Sequence, residues 1–152
     1  MKTGKIFIML MLVLTALTSC EESKDELFEK GLSAYQSGDY ATAVEYYQKA
    51  ASQGHGKANL ALGVMYEEGI GVEQSNRRAF EYYYEANLCL DPMGTFKTGL
   101  CYLNGWGVPE NEMVGIDFIV KAAEWGLEVA KDFCDERNIA YDHLKAAQNS
   151  LE

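Results

Sequence analysis

Gly63-Val64-Met65-Tyr66-Glu67-Glu68-Gly69-Ile70-Gly71-Val72 returns from position 99 as Gly99-Leu100-Cys101-Tyr102-Leu103-Asn104-Gly105-Trp106-Gly107-Val108, a period of 36 residues. The echo reaches past that core. Lys49-Ala50-Ala51, Glu85-Ala86-Asn87 and Lys121-Ala122-Ala123 share one register, as do Ala43, Ala79 and Gly115. Tyr46-Tyr47 and Tyr82-Tyr83 are matched by Phe118-Ile119. A fixed period of this size is the signature of a solenoid, whose units bury their apolar faces only against their neighbours. The repeat points to a binding scaffold and away from an enzyme.

Between the echoes the chain reads as paired helices. Leu27, Phe28, Gly31, Leu32 and Tyr35 mark one helical face over 25–36, and Gly38-Asp39 breaks it. Tyr40, Ala43, Val44 and Tyr47 give a second helix that closes at Gly54; this first pair lacks the Gly-x-Gly-Val loop and resembles a tetratricopeptide unit. The next first helix runs over 55–68 with Ala58, Leu62 and Tyr66 inward, and His55 caps its start. Ser75 is an N-cap for a helix to about Leu88, and Asp91-Pro92 opens another with Asp as cap and Pro at the first helical position. Asn111 begins a helix that ends at Gly126. Residues 128–150 then close the chain as one long helix or two, an acidic, Lys-bearing cap of the kind a solenoid end requires.

The N-terminus is different. Lys2 and Lys5 precede an apolar run over 6–17, with Thr15 its one polar residue, and Leu17-Thr18-Ser19-Cys20 closes the segment. That run is too short for a spanning helix, which needs about 20 residues. It reads as a secretory signal, and its ending resembles a bacterial lipoprotein signal, in which cleavage precedes a cysteine that becomes diacylated. The resemblance implies a signal peptide at 1–19, lipidation at Cys20 and a polar tether over 20–24. It further implies a cell-envelope protein held at a membrane by lipid. Asp does not directly follow the cysteine, so outer-membrane sorting facing the periplasm is expected, with surface exposure left open.

Without residues 1–19 the chain keeps 11 Lys and Arg against 23 Asp and Glu, a charge of −12. That balance opposes nucleic-acid binding, which demands cations for phosphates. It also opposes an electrostatic grip on anionic lipid. A basic protein or peptide suits it, although acidity also serves plain solubility. Cys89, Cys101 and Cys134 form an odd set with no zinc spacing and no C-x-x-C redox pair. Cys101 and Cys134 fall on equivalent helices of successive repeats, either bridged or as free thiols.

The pattern Ala-Ala-x-x-Gly-His-x-x-Ala, then Leu-Gly-x-x-Tyr-x-x-Gly-x-Gly-Val, then Ala-x-x-Tyr-Tyr resembles the Sel-one-like repeats, cousins of the tetratricopeptide family. Full repeats are expected at 54–89 and 90–127, after the tetratricopeptide-like unit at 25–53 and before the cap at 128–152. Asn87-Leu88-Cys89-Leu90 replaces Ala-x-x-Gly, and Gly94 and Thr98 stand for Ala and Leu, which predicts a loosened or bent joint. The resemblance implies an all-α, right-handed superhelical solenoid of antiparallel helix pairs, and protein–protein interaction as its role. Cysteine-rich bacterial members are described as penicillin-binding, but their regular cysteine pair is missing here.

Nothing in the chain assembles catalytic chemistry. His143 sits beside Asp142 without paired-ligand spacing, and no G-x-S-x-G elbow or phosphate loop occurs. Glu67-Glu68 point about 100 degrees apart on a helix, and the tyrosines read as packing residues. No catalytic residue, metal or cofactor is expected. Superposed on the tetratricopeptide register, the first helices would line a concave groove. Leu60, Val64, Glu67 and Glu68 in one unit and Met93, Phe96, Leu100, Leu103 and Asn104 in the next are the candidate protein-binding residues, with Lys57 beside them. Glu26, Glu29, Ser33, Asp132 and Glu136 extend the groove at its ends. Alternatively, the terminal helix folds back over Leu100 and Leu103. The expected function is a membrane-anchored interaction scaffold. The alternatives are a periplasmic immunity protein against a delivered toxin and, last, a cell-wall or β-lactam-binding enzyme.

Overall fold

The computed structural model describes residues 22–141, so the signal segment 1–19, Cys20 and His143 lie outside the described residues. Among these residues the chain forms seven helices: α1 (Lys24–Gln36), α2 (Tyr40–Ser52), α3 (Gly56–Glu68), α4 (Asn76–Leu88), α5 (Pro92–Asn104), α6 (Glu112–Glu124) and α7 (Glu128–Glu136). The pairs α1–α2, α3–α4 and α5–α6 stack in chain order, and α7 packs on α6. This is an all-α solenoid.

The helices begin where the sequence supplies acceptors. Ser23, Asp39, His55, Ser75, Asp91 and Asn111 each accept a hydrogen bond from the backbone N–H three residues on, at 2.8–3.3 Å. A cap of this kind stabilises a helix by about 1 kcal/mol. Within each pair, a glycine of the first helix meets a large side chain of the second. A Cβ at Gly31, Gly63 or Gly99 would lie 2.4–2.7 Å from Tyr47, Tyr83 or Ile119. The repeated glycines are therefore slots for the repeated bulky residues, and those residues are buried to 2 %, 1 % and 0 % exposure.

The Gly-x-Gly loops join one unit to the last. Gly71 (φ 69°) seats on Tyr40 and Gly107 (φ 74°) on Asn76, the first residues of α2 and α4. A Cβ at Gly107 would stand 2.2 Å from the Asn76 carbonyl oxygen. Residues 53–55, 89–91 and 125–127 join the units at the opposite edge, and all three joints are built alike. Gly54, Leu90 and Gly126 take φ of 74°, 61° and 90°. Their N–H groups and those of the next residues close the same pair of hydrogen bonds onto the preceding helix. The joint at Leu90 is thus as tight as the others, contrary to the expected loosening. Its other departures compensate each other: the buried Asn87 Oδ1 accepts from Thr95 Oγ1 at 3.0 Å, and Gly94 lets α5 approach Ala86.

Of the two C-terminal expectations, one unbroken helix is excluded. The described part of the 128–150 region is a single short helix that stops at Glu136, where Asn138 turns the chain at φ 54°. The polar tether is shorter than expected, because α1 already begins at Lys24 and Glu22 is docked. Its carboxylate pairs with Lys30, and its carbonyl accepts from Gln53 Nε2 at 3.2 Å. Cys101 carries a free thiol packed with Tyr66, Ala79 and Tyr83, while Cys134 lies in another cluster with Ala130 and Ala122. Cys101 and Cys134 are therefore not bridged.

Candidate protein-binding groove

The first helices α1, α3 and the start of α5 enclose an open groove of about 530 Å³. Its walls are Phe28, Leu32 and Tyr35 from α1, Leu60, Ala61 and Val64 from α3, and Met93 from α5, with Lys57 and Asp91 at the rim. Beneath them Tyr47 and Met65 form a floor continuous with the core of the first two units. The surface is almost wholly apolar and stays open to solvent, as a site for a peptide or an apolar side chain would.

Four of the predicted residues line this groove: Lys57, Leu60, Val64 and Met93. The rest are placed elsewhere. Phe96 is buried and meets Phe133 of α7 edge-on, ring centroids 6.2 Å apart. Leu100 and Leu103 pack into the same cluster, with Leu103 against Gly115 of α6. The terminal helix thus meets Phe96, while Leu100 and Leu103 stay half-buried in the shared cluster. Asn104 is exposed and its Nδ2 donates to the Leu100 carbonyl at 2.8 Å. Glu67 is engaged inside the fold: it accepts from the Tyr83 hydroxyl, and Lys97 Nζ lies 3.0 Å from it. Glu68 stands exposed at the end of α3.

Sequence reasoning put Phe28, Leu32 and Tyr35 on one apolar face of α1 but did not place them in the groove. The signal that finds them is Gly31. Aligned on its slot counterpart Gly63, the first unit puts Phe28 level with Leu60, Leu32 with Val64 and Tyr35 with Glu67. The short loop of the first pair sets Gly31 only 32 residues before Gly63, and Glu26, Glu29 and Ser33 stand one residue off that register.

Two polar constructions flank the groove. His55 Nδ1 accepts the Ala58 N–H at 3.0 Å, its ring stacks on Phe28 at 4.5 Å, and Nε2 sits 3.4 Å from Asp25 Oδ1. Burial, opposed by the Asp25 charge, holds its pKa below the usual imidazole value. At the other end, Lys97 lies over the Tyr83 ring, 5.5 Å from its centroid, and closes the α3–α5 seam beside Glu67. Burial pushes the Tyr83 hydroxyl far up, with the Glu67 carboxylate adding to it, and pushes the Cys101 thiol up to about 11. A thiol so held is no nucleophile.

Further aromatics pack on one another. Tyr66 stacks on Tyr82 at 5.4 Å and Tyr102 on Phe118 at 5.8 Å. Among the described residues no group of three or more His, Cys, Asp or Glu is placed to hold a metal ion, and no helix is long and apolar enough to cross a membrane.

A family model described as the Sel1 repeat matches residues 26–55, 56–88 and 92–126. The first unit, tetratricopeptide-like by its short loop, is therefore matched along with the other two. The chain is 42% identical over 67 residues to an exopolysaccharide production negative regulator of Rhizobium leguminosarum bv. viciae, covering 44% of this chain and 25% of that protein. It spans only a quarter of that relative's length. Among solved structures it is similar to a Sel1 repeat protein from Oxalobacter formigenes, with a TM-score of 0.70, 27% identity, and coverage of 84% of this chain and 97% of that one. It is also similar to c5321, described as a protective antigen of uropathogenic Escherichia coli. There the TM-score is 0.67 at 27% identity, covering 82% of this chain and 29% of the other.

Proposed function

Because this chain belongs to the Sel1 repeat family, we propose that it is a protein–protein interaction scaffold that captures a partner segment in the groove between α1, α3 and α5. The observation that carries this is the groove itself: about 530 Å³ of open, apolar surface built from first-helix side chains. No catalytic constellation accompanies it among the described residues, so shape and charge are what it offers. A fitting occupant is a helix or extended stretch with two or three large apolar side chains. Asp25, Glu29 and Asp91 near the rim, in a chain of net charge −10, favour Lys or Arg flanking that stretch. Lys57, a cation in the lining, would meet a backbone carbonyl or an acidic group of the partner.

The N-terminal segment extends this proposal. The proposed lipid on Cys20 would place the scaffold at the surface of a bacterial envelope membrane, facing the periplasm from the outer membrane. Each buried methylene contributes about 0.8 kcal/mol, so several acyl chains hold a protein without a spanning helix.

The groove is tested by panning a displayed peptide library on the purified protein. Enrichment of apolar peptides with basic flanks, abolished by Leu60→Glu with Val64→Glu in a protein that keeps its helical circular dichroism, is the expected outcome. Enrichment unaffected by those substitutions, or of acidic peptides, would exclude this groove and its charge preference. The anchor is tested separately by the mass of the protein from cells, in which Cys20→Ser should remove the acyl increment.

A further inference from the structure

We infer that the edge of the solenoid formed by the inter-unit joints is a membrane-contacting surface, with Leu88, Leu90 and Trp125 seated in a zwitterionic lipid headgroup region. The inference rests on the lipid-anchor reading and adds an orientation to it. All three joints lie on the edge where the described chain begins. Lys24 Nζ donates to the Gly54 carbonyl at 3.4 Å and Gln53 binds the Glu22 carbonyl, which fixes the start of α1 to the first joint. Gly56, just past the first joint, touches Cys89 and Asp91 of the second. Met93, just past the second, packs in the cluster that holds Leu127 of the third. Cys20 precedes Glu22 by two residues, at most about 7 Å of extended chain. A lipid on Cys20 would therefore hold the first joint, and with it this edge, close to the bilayer.

The same edge carries apolar side chains that the fold does not use. Leu88 is 57 % exposed, Leu90 68 % and Trp125 38 %. Leu90 is the more telling, because it occupies a left-handed backbone position that is glycine in the other two joints. A large apolar residue is held there against backbone preference and points into solvent. Such strain persists where the surrounding structure over-determines it, and it clusters at functional positions. Leu88 lies one helical turn beyond Tyr84, whose ring meets Phe118 of α6, and Trp125 comes two turns after Phe118. The apolar groups thus run from one unit to the next. Trp is the side chain most at home at a lipid interface, and Lys121 Nζ above its ring, at 4.8 Å, suits the phosphate level. Asp91, Glu124 and Glu128 on this edge disfavour an anionic surface, so the contact is with zwitterionic lipid.

The chain carries its own control, since its two tryptophans lie on opposite edges: Trp125 at a joint and Trp106 in a Gly-x-Gly loop. The full lipidated protein, its acyl mass verified, is reconstituted into phosphatidylcholine vesicles with brominated acyl chains, and emission is compared for Trp106→Phe and Trp125→Phe. Trp125 should be quenched by a factor of about two or more and Trp106 hardly at all, as interfacial seating predicts. Leu88→Asp with Leu90→Asp should restore Trp125 emission while the circular dichroism is unchanged. Equal quenching of both tryptophans, or of neither in verified lipidated protein, would overturn the inference and leave the anchor standing. So would an unquenched Trp125 whose neighbours cross-link to a protein, which would make the patch a protein-docking site. Absence of the acyl mass on Cys20 would remove the anchor, and the inference with it.

Discussion

Leu90 holds a conformation that costs an L-residue about 1–2 kcal/mol and costs glycine almost nothing. With 68 % of its surface exposed, it recovers little of that by packing. Leu90→Gly is expected to raise the unfolding free energy by about 1 kcal/mol in denaturant titration, after the entropy glycine gains in the unfolded chain is deducted. His55 gives a second residue-scale expectation. Its Nδ1 must be unprotonated to accept the Ala58 N–H, and burial lowers its pKa from 6.5. The unfolded state therefore binds the proton first. The cap's contribution is full above pH 6.5 and is lost as pH falls through the lower folded value. Asn at this position keeps a cap acceptor and does not titrate, so the stability of His55→Asn should gain on the parent as pH drops below 6.5. A gap that stays constant with pH would deny the cap its proton sensitivity. The caps at His55, Ser75, Asp91 and Asn111 were legible from residue type and spacing alone. The conformation at Leu90 was not, because a leucine in the sequence gives no sign that its neighbours will hold it where glycine belongs.

At the scale of elements, the loops and slots decide how one helix pair meets the next. Gly107 combines a positive φ with a Cβ position 2.2 Å from the Asn76 carbonyl, whereas Gly38, at φ 83°, has open space around it. Gly38→Ala should cost about 1 kcal/mol from backbone preference alone. Gly107→Ala should cost at least twice that and loosen the seat of its loop on α4, measurable as faster amide exchange at the start of α4. Equal costs at the two sites would mean that the loop does not lock the units. The period of 36 residues made the second and third pairs readable, and their loops with them. It misled in the first pair, whose shorter turn offsets α1 from the register. A one-residue error in placing α1 put Glu26, Glu29 and Ser33 where Phe28, Leu32 and Tyr35 belong, and repeat equivalence alone put Phe96, Leu100 and Leu103 in the groove. Side chains equivalent by repeat are covered or open according to which helix packs beyond them, and α7 covers only the third unit.

At the scale of the molecule, the described residues form a short solenoid with α7 packed on one end and an apolar trough open near the other. Seams within it are closed by groups the sequence offered as candidate contacts, Glu67 above all, which is engaged by Tyr83 and Lys97. Charge reversal there should act on the fold rather than on a partner. Glu67→Lys is expected to lower the thermal midpoint by placing two cations together, whereas Leu60→Glu, on an open wall, should leave it nearly unchanged. The architecture was written in the repeat, but the position of the groove was not, because it depends on which first helices remain uncovered once all of them are stacked. The claim that matters most is that this uncovered trough is where a partner segment binds. A photo-reactive amino acid at Leu60, compared in native cells with one at the exposed Glu45 of α2, tests it most directly. A specific protein adduct at position 60, absent from position 45 and traced by mass spectrometry to an apolar segment with basic flanks, is the predicted result. An adduct at position 45 with none at 60 would contradict it and move the binding face to the second helices.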